Sequence, residues 1–361
     1  MPGELRQIVK KVVRVVAPGM LPVHRRMPGD NDPEPKERIL DHTVGVDRAE
    51  YGSPDFDSCM TEREFTVKVG DRTHKVFFLV GHPRSGTHWM DAVLNCHPRA
   101  MIRGEYRFES LRNAFDDLTG NKWHAASREP MRAEAESCFA ESVRRIVAAS
   151  SVRKPGAIWL GDRTPRLLRV FLAGAPHFLI IRDPRDVLVS LAHQEIRNAG
   201  YNYRTFRFQS ELGSTRDEFL ADPDLFKKQP ERLLASERWV RHLVRRWRNH
   251  MRFDLAMLKA IDAGEVQARV RVVRYERVHT DPEAQRSAMY RFLDLNPGEA
   301  APLSADNGSK PGLSKENPHG VLRKGAVGEW ENYFTPAARR WFQEVGGRTL
   351  IELGYAKDND W

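Results

Sequence analysis

The stretch VFFLVGHPRSGTHWMDAVLNCHP, residues 76–98, constrains this chain more than any other. An apolar run enters a turn bounded by Gly81 and Gly86, and residues at helical spacing leave it. Strand, glycine-bounded turn and helix, in that order, put several backbone N–H groups at a helix N-terminus. Those groups lack partners within the helix and sit at the positive end of its dipole. An anion there gains about 0.3–1 kcal/mol, and up to ~2 kcal/mol when partly buried. Gly81 and Gly86 permit close approach, Ser85 and Thr87 add hydroxyl donors, and Arg84 adds a fixed charge. The glycine spacing is that of G-x-x-x-x-G-K-[ST], yet Thr87 follows Gly86 directly and the lysine is missing. The pattern predicts a phosphate-holding loop unlike those for ATP or GTP. The bland alternative is a tight strand–helix turn with no ligand.

The surroundings predict the fold class. EFTVKV, the turn GDR and THKVFFLV read as a hairpin, and HFLIIR (177–182) and RVRVVRY (269–275) as strands of a parallel sheet. Helices are expected around 87–96, 131–149, 185–197 and 231–260. This alternation predicts an α/β domain of three layers around a central parallel sheet. Residues 200–235 break the pattern and read as an irregular insertion, a lid or binding loop, with a disordered excursion as the alternative. Residues 1–70 read as an N-terminal extension and 71–361 as the main domain. Within the extension, Leu5, Ile8, Val9, Val12, Val13 and Val16 line one side of a basic amphipathic helix, and residues 21–58 form a linker. Such a helix docks on its own domain or a partner subunit, or lies on an anionic membrane surface.

Composition narrows the partners only to anions. The formal charge of +9 suits nucleotides, sulfated sugars, nucleic acid or a membrane surface alike. The three cysteines, Cys59, Cys96 and Cys138, are odd in number and scattered, which fits neither a disulfide framework nor a four-ligand zinc site. No metal is expected. No apolar run reaches the roughly 20 residues of a membrane span, and no signal peptide is legible. The expected location is cytoplasmic, with peripheral membrane contact open to residues 5–16.

Two further segments carry chemistry. In PHFLIIRDPRDVLVSLAHQ (176–194), Asp183 is an N-cap, Pro184 suits the first helical position, and Asp186 falls at N3 to reach back. Arg182 sits at the carboxyl end of the strand, where open α/β sheets bind ligands. RKGAVGEWENYFT (323–335) is, by itself, a basic turn with two glycines.

Taken together, these motifs resemble the sulfotransferase family. GHPRSGTHWM looks like its 5′-phosphosulfate loop, P-[KR]-S-G-T-T-W-L. The 176–194 stretch is similar to its 3′-phosphate motif, R-[ND]-P-[KR]-D-V-x-V-S, and 323–335 to R-K-G-x-x-G-D-W-x-x-x-F-[ST]. The resemblance covers roughly residues 75–357. It implies a P-loop-NTPase-like fold, and transfer of a sulfuryl group from 3′-phosphoadenosine 5′-phosphosulfate (PAPS) to a hydroxyl or amine, leaving PAP. By resemblance Arg84 stabilises charge on the leaving phosphate, with Ser85, Gly86 and Thr87 around the 5′-phosphate and Trp89 offering its face to adenine. Arg182 and Ser190 contact the 3′-phosphate, over which Arg323, Lys324 and Gly325 close. Tyr275, in RYERVHTDPE, falls where relatives have a segment near the adenine. His88 departs from the family's second Thr; it either donates to a sulfate oxygen or fills space.

One branch of the family takes its base from K-T-H-x-P, but WLGDRTPR (159–166) has no His. A second branch has a Glu near H-P-x…G-E-x-x-[RF], and in CHPRAMIRGEYRFESL Glu105 holds that position. Asp162 and His88 compete for the role, and a purely structural pairing of Glu105 with an arginine is the alternative. Arg163 stands where relatives carry a basic residue, near the transferring sulfonate or the leaving group.

Two rivals remain. A P-loop kinase or NTPase needs a loop lysine and a Mg²⁺-holding acid after a strand, whereas HFLIIRDP puts Arg182 before Asp183. A polyanion-binding protein would use the arginines of SERWVRHLVRRWRNHMRFD (236–254). There, Trp239, Leu243, Val244, Trp247, Met251 and Leu255 keep helical spacing, so this helix is expected to pack inward with solvated arginines, and no nucleic-acid partner is expected. The acceptor is open among small molecules, carbohydrates, lipids and peptides, and the oligomeric state is unread.

Overall fold

The hairpin is present: β1 (Thr66–Val69) runs antiparallel to the first half of β2 (Arg72–Gly81), with Val69 opposite Arg72. The computed structural model describes residues 62–120, 128–198, 208–312, 316–317 and 323–361. The helix expected at 5–16 and the linker at 21–58 lie outside the described residues, as do residues 200–207 of the insertion.

Four more strands follow: β3 (Ala100–Arg103), β4 (Trp159–Arg163), β5 (Pro176–Ile181) and β6 (Arg269–Arg274). The sheet order is β3-β4-β2-β5-β6, all parallel. In chain order the helices are α1 (Thr87–Asn95), α2 (Phe108–Thr119), α3 (Arg128–Ala148), α4 (Pro184–Arg197), α5 (Gln209–Ala221), α6 (Leu225–Lys228), α7 (Glu237–Asp262), α8 (Tyr275–Thr280), α9 (Pro282–Phe292) and α10 (Pro336–Glu352). Every residue of β4 and β5 is buried, as a parallel sheet covered by helices on both faces requires. One core cluster joins α4, α7 and α10 through Val187, Trp239, Trp247 and Phe342; the other joins α1, α3 and α9 through Met90, Phe139 and Tyr290. This is the P-loop-like α/β architecture, a central parallel sheet flanked by helices. Among the described residues, no helix is long and apolar enough to cross a membrane.

The sequence did not disclose β3 and β4. Four and five residues long, AMIR and WLGDR end in charge and show no alternation; WLGDR is a strand because β2 offers it an edge, and AMIR because β4 then offers the next. A second difference is the insertion, expected to be irregular. Its described part is largely helical, α5 and α6, with Phe208, Leu212, Phe219, Leu225 and Phe226 buried in the core that covers α4. Its apolar side chains are spread among polar ones, so the helical pattern is weak until a surface exists to receive them.

α7 agrees with its reading. Ser236 caps it, accepting from Trp239 N, and Trp239, Leu243, Val244, Trp247 and Met251 are buried, with Leu255 partly so. On its outer side Arg238 pairs with Glu211, Arg241 with Glu237 and Glu344, and Arg246 with Glu195.

Candidate functional site

The loop between β2 and α1 stands at the carboxyl end of the central strand. Gly86 precedes α1 with φ 101°, and no side chain caps the helix. Trp89 N donates back to Gly86 O at 3.0 Å, and the N–H groups of Thr87 and His88 have no side-chain cap, so they suit an external acceptor. Gly86 has a second reason to lack a side chain, since a Cβ there would lie 2.4 Å from Tyr275 Cδ2. Ser85 in the loop and Thr87, the first residue of α1, are both buried.

Tyr275, first residue of α8, organises the cationic side. Its ring lies 4.4 Å from the Arg182 guanidinium, and its hydroxyl donates to Gly325 O at 2.8 Å. Arg182 donates to Arg84 O at 3.2 Å and to Ala326 O at 2.7 Å. Arg84 Nε donates to Ser190 Oγ at 2.9 Å. Burial, with Arg197, Arg182 and Arg323 nearby, pulls the Arg84 guanidinium down to about 10. Concentrated, half-dehydrated positive charge of this kind is costly unless an anion shares the space. Arg323 donates to Glu316 and, bidentately, to Glu329, and the half-exposed Lys324 reaches Glu329 at 3.5 Å. Trp89 Nε1 donates to Ser309 O at 2.8 Å, and its ring meets Tyr275 edge-on at 5.1 Å and His279 at 5.8 Å. Trp89, Tyr275 and His279 thus form an aromatic corner beside the loop.

A second cluster lies around Arg163, at the end of β4. Its Nε donates to Asp91 Oδ2 at 2.9 Å, and its Nη1 reaches His88 Nε2 at 3.2 Å and Glu105 Oε1 at 3.3 Å. A guanidinium only donates, so His88 accepts through Nε2 and keeps its proton on Nδ1. Burial, then Arg163, hold the His88 imidazole below its ordinary pKa, with Glu105 opposing and Arg84 adding to the depression. Burial raises the Asp91 carboxyl, against the pull of Arg163. Glu105 is also 3.7 Å from the exposed Arg107. Asp162, the competing base, is buried; its oxygens accept from Tyr106 N and Thr164 Oγ1, and burial pushes it up to about 6.

The structure thus brings Arg84, Arg182, Ser190, Tyr275 and Gly325 into one chain of contacts, with Arg323 near enough to act on the charge of Arg84, and Glu105, His88 and Arg163 into another. Arg84 lies on the loop and His88 is the second residue of α1, which the loop leads into. One reading requires correction. Asp183 does cap α4, accepting from Arg185 N, but Asp186 does not reach back along its helix. Its carboxylate accepts from Gly328 N at 2.8 Å and Trp330 N at 2.9 Å, fastening the 323–330 segment to α4. The donor a reach-back would need, Asp183 N, is taken by Glu276 Oε1 at 2.7 Å, which leaves the Asp186 carboxylate to those two N–H groups. Sequence reasoning also missed Asp91, His279 and Glu276, which accepts from Asp183 N and from the Tyr355 hydroxyl. Asp91 is legible only as an acid one helical turn after His88; nothing local marks the other two.

Residues 178–354 match the family described as the sulfotransferase domain, just under half of the chain. Protein-tyrosine sulfotransferase A of Caenorhabditis elegans is 27% identical over an alignment of 154 residues that covers 38% of this chain and 38% of that protein. This chain therefore spans well under half the length of that relative. A mouse sulfotransferase structure complexed with PAP is 20% identical with a TM-score of 0.39, covering 76% of this chain and 84% of the other. The sulfotransferase domain of the Synechococcus PCC 7002 olefin synthase is 13% identical with a TM-score of 0.37, covering 75% and 94%.

Proposed function

Starting from a chain that resembles the sulfotransferase family and carries its domain over residues 178–354, we propose that it moves the sulfuryl group of PAPS onto a hydroxyl or amine. Sulfuryl transfer is the activity the family match supports; the donor, the base and the residue roles are our reading. The observation that carries it is the gathering of Arg84, Arg182 and Arg323 beside one glycine loop and one tyrosine, with His88, in the helix that follows the loop, touching Arg163 and Arg163 touching Glu105.

In this reading, Arg182, Ser190, Arg323, Lys324 and Gly325 hold the 3′-phosphate, and the loop N–H groups with Ser85, Gly86 and Thr87 hold the 5′-phosphate. Trp89 and Tyr275 flank the adenine. Glu105 accepts the proton of the acceptor as its oxygen or nitrogen forms a bond to sulfur. The bond from sulfur to the bridging oxygen breaks on the opposite side, and Arg84 and Arg163 neutralise the charge arriving on the leaving phosphate. His88 keeps Arg163 aimed, or donates through Nδ1 to a sulfonate oxygen. Residues 71–361 form the catalytic unit. The relative named as a protein-tyrosine sulfotransferase makes peptidyl tyrosine the first acceptor to try, ahead of carbohydrates, lipids and small phenols.

Radiolabelled PAPS offered with such a panel should label one acceptor class, and PAP should raise the melting temperature. Glu105→Gln should lower turnover by about 10²–10⁴-fold with PAP affinity retained. Arg182→Ala and Lys324→Ala should weaken PAP binding instead. Undiminished turnover in Glu105→Gln would overturn its role, and no PAP binding by the wild type would overturn the whole reading.

A further inference from the structure

His193 is a buried imidazole with no evident occupation. It is 6% exposed, and among the described residues neither ring nitrogen has a hydrogen-bond partner. Buried polar groups are nearly always satisfied, so two idle nitrogens call for a ligand. Aromatic rings wall it in: Phe226 at 5.2 Å, Tyr333 at 5.7 Å and Phe219 at 6.0 Å. None of the three ring contacts uses a hydrogen bond of the imidazole.

Its place on α4 gives the direction. Asp186, Ser190, His193 and Arg197 recur at i, i+4, i+7 and i+11, one stripe of a helix. Asp186 holds the 323–330 segment and Ser190 holds Arg84, so the stripe faces the anion site. The charged groups acting on His193 are all cations: Arg323 from the C-terminal segment, Arg84 from the loop and Arg197 from its own helix. Tyr333 is neutral, its phenol raised by burial. The two insertion residues, Phe219 and Phe226, contribute no charge.

We propose that His193 is a ligand of the anion site: when the bisphosphorylated nucleotide enters, the imidazole takes up one proton from solvent and donates an N–H to the phosphate beside Ser190. The inference rests on the nucleotide reading above. In the free protein, burial and the three guanidinium groups keep the imidazole neutral, well below its ordinary range. A phosphate dianion reverses the local field and favours the charged form. The bound-state pKa is then the higher one, so binding gains as pH falls and loses as pH rises through that value. One proton corresponds to a slope of at most about tenfold in affinity per pH unit. The phosphate's own ionisation, near pH ~6, works against this trend, because a monoanion binds cations less well.

Calorimetric titration of the full chain with PAP, in buffers of different ionisation enthalpy at about pH 7, counts the protons taken up. The wild type should absorb more protons than His193→Gln and bind PAP about tenfold more tightly. Equal proton uptake, or equal affinity, would overturn the inference while leaving the nucleotide reading intact. A measurement without variants is the wild-type affinity between about pH 8 and pH 6.5, which should tighten as pH falls; a flat or opposite trend overturns it as well. Absence of PAP binding in the wild type would instead remove the functional reading, and this inference with it.

Discussion

Replacing Asp186 by Ala should release the segment that closes the anion site. The Asp186 side chain is fully buried, and its two oxygens accept from Gly328 N and Trp330 N at 2.8 and 2.9 Å. Hydrogen bonds to a charged group contribute about 1.5–3 kcal/mol each, and a buried donor left alone costs about 1–3 kcal/mol. Two such losses give roughly 3–6 kcal/mol. Relief of a buried carboxylate offsets part, since burial raises its pKa even though Arg182 and the two N–H groups pull it down. The net destabilisation expected for Asp186→Ala is then about 2–4 kcal/mol. Asp186→Asn, which keeps one acceptor oxygen, should lose about half of that. Urea unfolding with the slope checked for constancy measures the stability, and PAP titration measures the site. The segment carries Arg323, Lys324 and Gly325, so PAP affinity should fall at least about tenfold in Asp186→Ala, a loss of ~1.4 kcal/mol. Wild-type stability together with wild-type affinity would refute the reasoning. Lost stability with intact affinity would mean that Tyr275 and Arg182, which grip Gly325 O and Ala326 O, hold the segment by themselves.

Three other outcomes can be measured. Gly86→Ala should destabilise the fold and abolish PAP binding, because φ of 101° and a Cβ 2.4 Å from the Tyr275 ring both oppose it; wild-type binding in that variant would contradict the packing described. Asp162 titrates at about 6 when folded, against about 3.9 unfolded. A raised carboxyl favours the fold below the lower value and loses that contribution as pH rises through the upper one. Relative to Asp162→Asn, the wild type should therefore lose up to about 3 kcal/mol between about pH 4 and pH 7, read as urea midpoints; parallel profiles would refute it. Arg163→Ala should lower turnover more than PAP affinity, since its partners are Asp91, His88 and Glu105 rather than the cationic cluster, and the reverse split would reassign it.

What the residues alone determined is local. VFFLVGHPRSGTHWM specifies strand, glycine turn and helix within one short stretch, and Asp183 with Pro184 specifies the start of α4. Each of those signals is an interaction between near neighbours, so it can be read along the chain. The motif resemblance also selected Arg84, Arg182, Ser190 and Tyr275, which the structure links in one chain of contacts. Tertiary structure decided the rest. β3 and β4 are strands because β2 lies beside β4 and β4 beside β3, and α5 is a helix with a buried side because α4 and α7 receive it. Asp186 satisfies two N–H groups more than 140 residues away instead of its own helix end. Arg163 finds Asp91 and His88 on α1 and Glu105 on the segment after β3. A carboxylate or an imidazole carries no local label for its partner; the partner is fixed by which donors the packed core leaves unsatisfied, and that is settled only when the layers close.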